Sequence, residues 1–204
     1  MTCCNNDYRV DLCVAQGKTF QRVLRWGREP YQYRTVEAVT RDGALRLKST
    51  AHGIPDGWMV ALNGLRGMPE LNARNQPPSR GDLYKATLID ADTIELNEIS
   101  GARYGAWRGG GDIQFLSPVN VTGMSARMDI RSHRGDLLFR AEPGDGRLTV
   151  DAALHGVVMR LPQTDTSAFD WACGVYEIEI SDGTDVFMLA FGEITVKKEV
   201  TIDG

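Results

Sequence analysis

The stretch GVYEIEISDGTDVFMLAFGEITV, residues 174–196, decides the fold. Tyr176, Ile178 and Ile180 alternate with Glu177 and Glu179, the period-2 pattern of a strand with one face in a core and the other in water. Asp182-Gly183 supplies the positive-φ chemistry of a tight hairpin turn. Residues 186–191 return almost wholly apolar and are expected as a strand covered on both sides. A two-stranded hairpin is marginal alone in water, so the rest of the chain has to supply sheet for it.

Upstream, Met124, Ala126, Met128 and Ile130 alternate with Ser125, Arg127, Asp129 and Arg131, the cleanest alternation in the chain. Short strands are also expected at 137–139, 148–150 and 157–161, separated by Gly135, Pro143-Gly144-Asp145-Gly146 and His155-Gly156. One helical turn capped by Thr164 or Asp165 is expected over 164–169, leading into Trp171. Near the start, residues 1–8 read as a polar arm. Val10, Leu12 and Val14 then form one strand, and Phe20, Leu24 and Trp26 share the face of another, with Arg22 on that apolar face. From Gly27-Arg28-Glu29-Pro30 the composition changes until Pro118. Strands at 33–40, 44–49, 58–62, 83–89 and 93–96 are separated by turn clusters, and Ala106-Trp107-Arg108-Gly109-Gly110-Gly111-Asp112 is too glycine-rich for regular structure. No segment sustains a 3.6 period. The class is all-β, with strands about every 8–12 residues as in sandwiches or barrels, divided into 1–30 plus 118–204 and an inserted all-β unit at 31–117.

The formal charge of −4 over 204 residues argues against a basic nucleic-acid footprint. No apolar run reaches the roughly 18 residues of a membrane span, and MTCCNNDYRVD lacks the basic and apolar parts of a signal peptide. A cytosolic chain is expected. Cys3, Cys4, Cys13 and Cys173 fit free thiols better than a disulfide framework, or than a metal site, for which the paired ligand spacing is missing. Cys13 and Cys173 are expected as small apolar strand residues.

Chemistry can be sought in four places. His52 with Asp56 is imaginable as a metal pair or an oriented base, but a turn histidine bonded to backbone is the simpler reading; His133 and His155 also lie in turns. Glu177 and Glu179 point to one strand face, as a glycosidase pair or as the wet side of a strand. Gly109-Gly110-Gly111 lacks the Lys-Ser/Thr of a phosphate loop and reads as a link. Arg22, Arg25, Trp26, Arg28, Tyr31 and Tyr33, with Arg34, form a basic and aromatic cluster. It suits stacking on single-stranded nucleic acid or, with the acidic net charge favouring it, a protein interface or domain junction to which Trp107 also belongs. Trp58, Trp107 and Tyr104 are candidate sugar platforms, or else core aromatics. No catalytic residue, cofactor or metal is expected.

Residues 16–26, QGKTFQRVLRW, with SPVNVTGMSARMDIRS from Ser117, GRLTVD from Gly146 and the closing W-x-x-G-VYEIEISDG-x₈-GEITVKKEVT resemble small Ig-like proteins of tailed-bacteriophage structural modules, in particular the N-terminal domain of upper baseplate and fibre-attachment proteins. The segment AHGIPDGWMVALNGLRGMPELNARN with LYKATLIDADTIELNEISGARYGAW resembles a second module, a small β domain known from ubiquitin-activating enzymes as their first catalytic-cysteine half-domain and recurring in phage virion proteins. Its motifs fall on His52, Gly53, Gly57, Gly67, Met68, Glu70, Leu71, Asn72, Asp90, Asp92, Thr93 and Leu96. No cysteine lies between Cys13 and Cys173, so catalytic-cysteine chemistry is excluded there. The resemblance implies a discontinuous Ig-like sandwich with an inserted, small, β-barrel-like domain. It implies a non-enzymatic virion component assembled in the host bacterial cytoplasm, a tail, baseplate or neck adaptor that contacts fibres or neighbouring subunits in multiple symmetric copies. Capsid decoration and a carbohydrate-binding or hydrolytic module acting on the host surface are the alternatives.

Overall fold

The structure, a computed structural model, describes residues 9–198; the expected arm 1–8, with Cys3 and Cys4, lies outside them. In chain order the strands are β1 (Leu12–Ala15), β2 (Phe20–Arg25), β3 (Gly27–Thr35), β4 (Ala38–Thr40), β5 (Ala44–Lys48), β6 (Met59–Asn63), β7 (Tyr84–Lys85), β8 (Thr87–Asp90), β9 (Thr93–Ser100), β10 (Asp112–Pro118), β11 (Ser125–Arg131), β12 (Leu137–Ala141), β13 (Leu148–Asp151), β14 (Gly156–Leu161), β15 (Cys173–Ser181) and β16 (Val186–Lys197). One short helix, α1 (Gln163–Ser167), precedes β15. The chain is all-β. It divides into two compact units, 9–26 with 120–198 and 27–119.

The first unit has a five-stranded sheet, β1-β16-β15-β11-β12, and a three-stranded sheet, β13-β14-β2. β15 and β16 are the expected hairpin, and β11 pairs with β15 so that Met128 lies opposite Ile178 and Ile130 opposite Tyr176. β1 joins the far side of β16 in parallel, Leu12 against Ile194 and Val14 against Val196. Alternation turns Met128, Ile130, Ile178, Ile180 and Ile194 inward, and Leu24, Leu148, Val157, Met159 and Leu161 are equally buried on the smaller sheet. The result is a sandwich in which the first and the last strand, β1 and β16, share one sheet. β2, by contrast, pairs with β14 rather than with the hairpin. The helix starts after Pro162 without a side-chain cap. Asp165, expected as a cap, instead accepts two bonds from Arg147, at 2.5 and 2.9 Å.

The second unit has two four-stranded sheets, β3-β10-β6-β7 and β4-β5-β9-β8. Leu45, Leu47, Trp58, Val60, Leu62, Ile94, Leu96, Ile113 and Phe115 are among its core. Among the described residues neither sheet closes on itself, so the barrel expected for this unit is two open sheets.

Several expectations are corrected. The unit boundaries fall after Trp26 and after Val119, because Gly27 already begins β3 and pairs with Pro118 at the end of β10. Gly27-Arg28-Glu29-Pro30 is therefore strand rather than a break; the register shift beside Ser117 absorbs Glu29 and Pro30, and the Ser117 hydroxyl donates to the Pro30 carbonyl at 2.6 Å. Residues 33–40 contain parts of two strands, β3 and β4. Residues 83–89 split at buried Ala86 into β7 and β8, which belong to different sheets. Strand β16 is not covered on both sides throughout, since Val186 and Met188 are exposed. Cys13 and Cys173 are exposed as well. Each lies opposite Thr195, from β1 and β15 respectively, on the outward-facing register of the five-stranded sheet.

Candidate functional site

The residues singled out in the sequence are divided between the two units. Trp26 is 2% exposed and packs on Phe187 with ring centroids 5.2 Å apart, so it is a core residue of the sandwich and not an interface aromatic. Arg22 is exposed and Arg25 half-buried on the same strand. Arg28, Tyr31 and Tyr33 belong to β3 in the other unit, Tyr33 being 54% exposed. Arg34 is tied down: its Nε donates to the His52 carbonyl at 2.8 Å, and its guanidinium lies 5.6 Å from the Phe115 ring.

The sugar-platform reading fails for Trp58, which is 3% exposed and donates its indole N–H to the Leu116 carbonyl at 3.0 Å. Trp107 and Tyr104 are half-buried against the core of the second unit, and Trp107 donates to the Gly110 carbonyl at 3.0 Å. His52 is buried. Its Nδ1 accepts the Ile54 N–H at 2.9 Å and its Nε2 lies 3.2 Å from the Asp90 carbonyl, so the ring joins two turns. Asp56 accepts the Leu88 N–H at 2.9 Å, separate from His52's bonds.

The motif residues of the second unit are likewise taken up by backbone. Asn72 clasps Leu65, accepting its N–H at 2.9 Å and donating to its carbonyl at 3.2 Å. Asp92 accepts the Ala51 N–H at 2.8 Å and Asp90 the Asp92 N–H at 2.8 Å. Met68, Leu71, Ile94 and Leu96 are core. Gly109, Gly110 and Gly111 all have positive φ and form a link beside Arg66. In the sandwich, His133 is exposed at the β11–β12 turn, which Ser132 staples by donating to Asp136 at 2.9 Å. His155 precedes β14 with φ of 50° and offers its carbonyl to the Trp26 N–H at 2.7 Å. Among the described residues no group of three acidic, histidine or cysteine side chains is placed to hold a metal ion, and no helix is long and apolar enough to cross a membrane.

What the structure does bring together is the outer face of the five-stranded sheet, a depression of about 550 Å³. Cross-strand pairs share a face. Register therefore lines up Arg140, Asp129, Glu177 and Phe191 in one row across β12, β11, β15 and β16, and Arg127, Glu179 and Met188 in the next. Asp129 accepts from Arg140 at 2.6 and 2.8 Å and from Arg131 at 2.7 Å. Those guanidiniums, Arg140 foremost, hold its carboxyl at about 2 despite partial burial. Arg127 is bonded to Glu179. Arg9 pairs with Asp11 at 3.1 Å and approaches Glu193 at 3.8 Å.

Glu177 differs. Partial loss of water in the depression and the neighbouring Glu179 carboxylate raise its pKa above the ordinary 4.5, and Asp129, directly across the ladder, adds to the effect while Arg127 opposes it. A raised acid pKa means that the folded chain holds this proton more tightly than the unfolded chain does, so the ionised group works against folding above pH 4.5. Glu177→Gln is expected to raise the thermal midpoint at pH 7.5, with the gain closing below pH 4.5, where the native carboxyl is protonated in both states. Melts at both pH values check this; a destabilised variant at pH 7.5 would refute it.

Arg127, Asp129 and Arg131 were visible in the sequence as the wet face of β11, and Glu177 and Glu179 as that of β15; their meeting was not, because it depends on register. No protein-family model matches the chain, and no curated protein is significantly similar to it in sequence.

Proposed function

We propose that the protein is a structural component of a tailed-phage virion, a tail, baseplate or neck adaptor that attaches fibres or neighbouring subunits by protein–protein contacts and carries out no reaction. The observation supporting this most directly is the discontinuous build. β1, from one end of the chain, closes onto β16, from the other, while 27–119 folds as its own all-β unit between β2 and β11. That is the organisation implied by the two phage-module resemblances, an Ig-like sandwich interrupted by a small β domain.

The motif side chains fit the same reading, because His52, Asn72, Asp90 and Asp92 bind backbone and shape loops. A scaffold of this kind offers sheet faces and edges for contacts, and closed symmetric assemblies repeat such contacts in multiple copies. The test is mass spectrometry and antibody labelling of purified particles of a phage that encodes this chain. The expected result is the chain in fixed stoichiometry at the tail, baseplate or neck. Label on the head would move the role to capsid decoration, and absence from particles would overturn the proposal.

A further inference from the structure

Five dipeptides of one reactive kind lie among the described residues: Asn63-Gly64, Asp42-Gly43, Asp56-Gly57, Asp145-Gly146 and Asp182-Gly183. In each, the glycine nitrogen can attack the preceding side-chain carbonyl carbon and close a five-membered succinimide, because glycine has no side chain to obstruct the approach. Closure needs a free electrophile and a free nitrogen brought to near-attack distance. At neutral pH the sequence alone ranks Asn63-Gly64 first, since an amide is a better electrophile than an ionised carboxylate.

The folded chain reverses that order. The Asn63 amide is held at both ends, donating to Gln114 Oε1 at 2.6 Å and accepting from Gln76 Nε2 at 2.8 Å. Asp56 accepts the Leu88 N–H at 2.9 Å, and the Gly57 nitrogen donates to the Ala86 carbonyl at 2.8 Å. Asp145 accepts the Glu142 and Arg147 N–H groups, both at 2.8 Å. Asp182 accepts the Thr184 and Asp185 N–H groups at 2.9 and 2.8 Å, while the Gly183 N–H donates to Ser181 Oγ at 3.1 Å. Asp42 and Gly43 differ. Both are exposed in the turn between β4 and β5. Among the described residues no hydrogen bond or ion pair engages the Asp42 carboxyl or the Gly43 N–H, and nothing lies within 4 Å of a Cβ built on Gly43.

We infer that Asp42-Gly43 is a site of spontaneous isoaspartate formation, a covalent modification that the fold directs to this turn and withholds from the other four pairs. The Gly43 nitrogen bonds to Asp42 Cγ, the Cγ–OH bond of the protonated carboxyl breaks, and the hydroxyl leaves as water with the amide proton. A second water opens the ring. Opening at Cγ restores aspartate; opening at the main-chain carbonyl leaves that carbon as a free carboxylate and runs the chain through Cβ and Cγ. The backbone is then one atom longer beside two contacts of the turn, the Gly43 carbonyl with the Gly101 N–H at 2.9 Å and Arg41 Nη1 with the Tyr104 carbonyl at 2.7 Å. The inference is independent of the virion reading, because it concerns only the chemistry of this turn.

The test ages the full-length protein at neutral pH in water enriched in heavy oxygen, native and in concentrated guanidinium, and maps its peptides by electron-transfer mass spectrometry. Ring opening inserts one heavy oxygen, and isoaspartate gives backbone fragments of its own. In the native protein both marks should accumulate at 42–43, with the other described pairs slower by about tenfold, the factor for first breaking one or two ordinary hydrogen bonds. In guanidinium, Asn63-Gly64 should lead. Asp42→Glu, which keeps the charge but places the carboxyl beyond five-membered closure, should lose the label at 42–43. Earlier labelling at another described pair in the native protein, no label at 42–43, or the same order in native and unfolded chains would each overturn the inference.

Discussion

Trp26→Ala is expected to destabilise the sandwich unit by about 3–5 kcal/mol, the range for deleting a large buried aromatic. Trp26 is 2% exposed just past the end of β2, its ring tilted 49° against Phe187 on the facing sheet and its backbone N–H bonded to the His155 carbonyl at 2.7 Å. Removing the indole leaves a cavity between two sheets whose backbones are fixed by their ladders, so little of the space can collapse. Trp26→Phe retains a ring against Phe187 and should cost markedly less. Urea unfolding, with hydrogen exchange of the amides of β2, β14 and β16 to localise the loss, measures both. An unchanged midpoint in the alanine variant would show that the ring does not fill the sandwich core and would return Trp26 to the surface-contact reading.

That outcome bears on what a sequence can disclose. An aromatic-and-arginine run such as 22–34 has the composition of an interface, but composition does not fix direction. Alternation along β2 turns Leu24 and Trp26 inward, and the change of unit after Trp26 assigns Arg28, Tyr31 and Tyr33 to another body. The outgoing half of the hairpin was legible because buried and wet residues alternate from Tyr176 to Ile180 ahead of an Asp-Gly turn, whereas the apolar return 186–191 left its faces unmarked and Leu189 and Ala190 are buried in succession.

Strand β10 was not legible. Ile113, Gln114 and Phe115 are buried in succession, so no alternation marks them, and three glycines precede them. Buried Gln114 keeps its carbonyl satisfied by Asn63 at 2.6 Å, which lets a polar residue occupy a central strand. The charged depression was half legible for a related reason. Each strand showed its own wet face, but Glu177 meets Asp129 and Phe191 only once β11, β15 and β16 are in register.

Gly67→Ala should be nearly as damaging in the second unit, at about 3 kcal/mol, from two separable causes. Gly67 has φ of +89°, where a side chain is disfavoured by about 1–3 kcal/mol. An added Cβ would also fall 2.0 Å from the Ala106 carbonyl oxygen and 3.1 Å from Arg108 Cγ. The first obstacle is backbone and cannot rotate away, so the two loops must separate. They are joined by a bond from the Arg108 N–H to the Arg66 carbonyl at 2.7 Å and one from the Arg66 N–H to the Gly109 carbonyl at 3.3 Å. Separation would carry Leu65 and Met68 out of the core, where both are 2% exposed or less.

Gly53 is the matched control. It too has positive φ, at 64°, but nothing lies within 4 Å of its added Cβ, so Gly53→Ala should show the conformational cost alone, about 1–2 kcal/mol. Urea midpoints of the two variants, followed by tryptophan fluorescence, separate strain from close approach. If Gly67→Ala costs no more than Gly53→Ala, the approach of Ala106 is not tight and the glycine that opens Gly67-Met68-Pro69-Glu70-Leu71-Asn72 is there for its φ alone. If it costs more by the expected margin, this glycine is required because two backbones meet there, a structural reason for its place in the motif that calls on no chemistry.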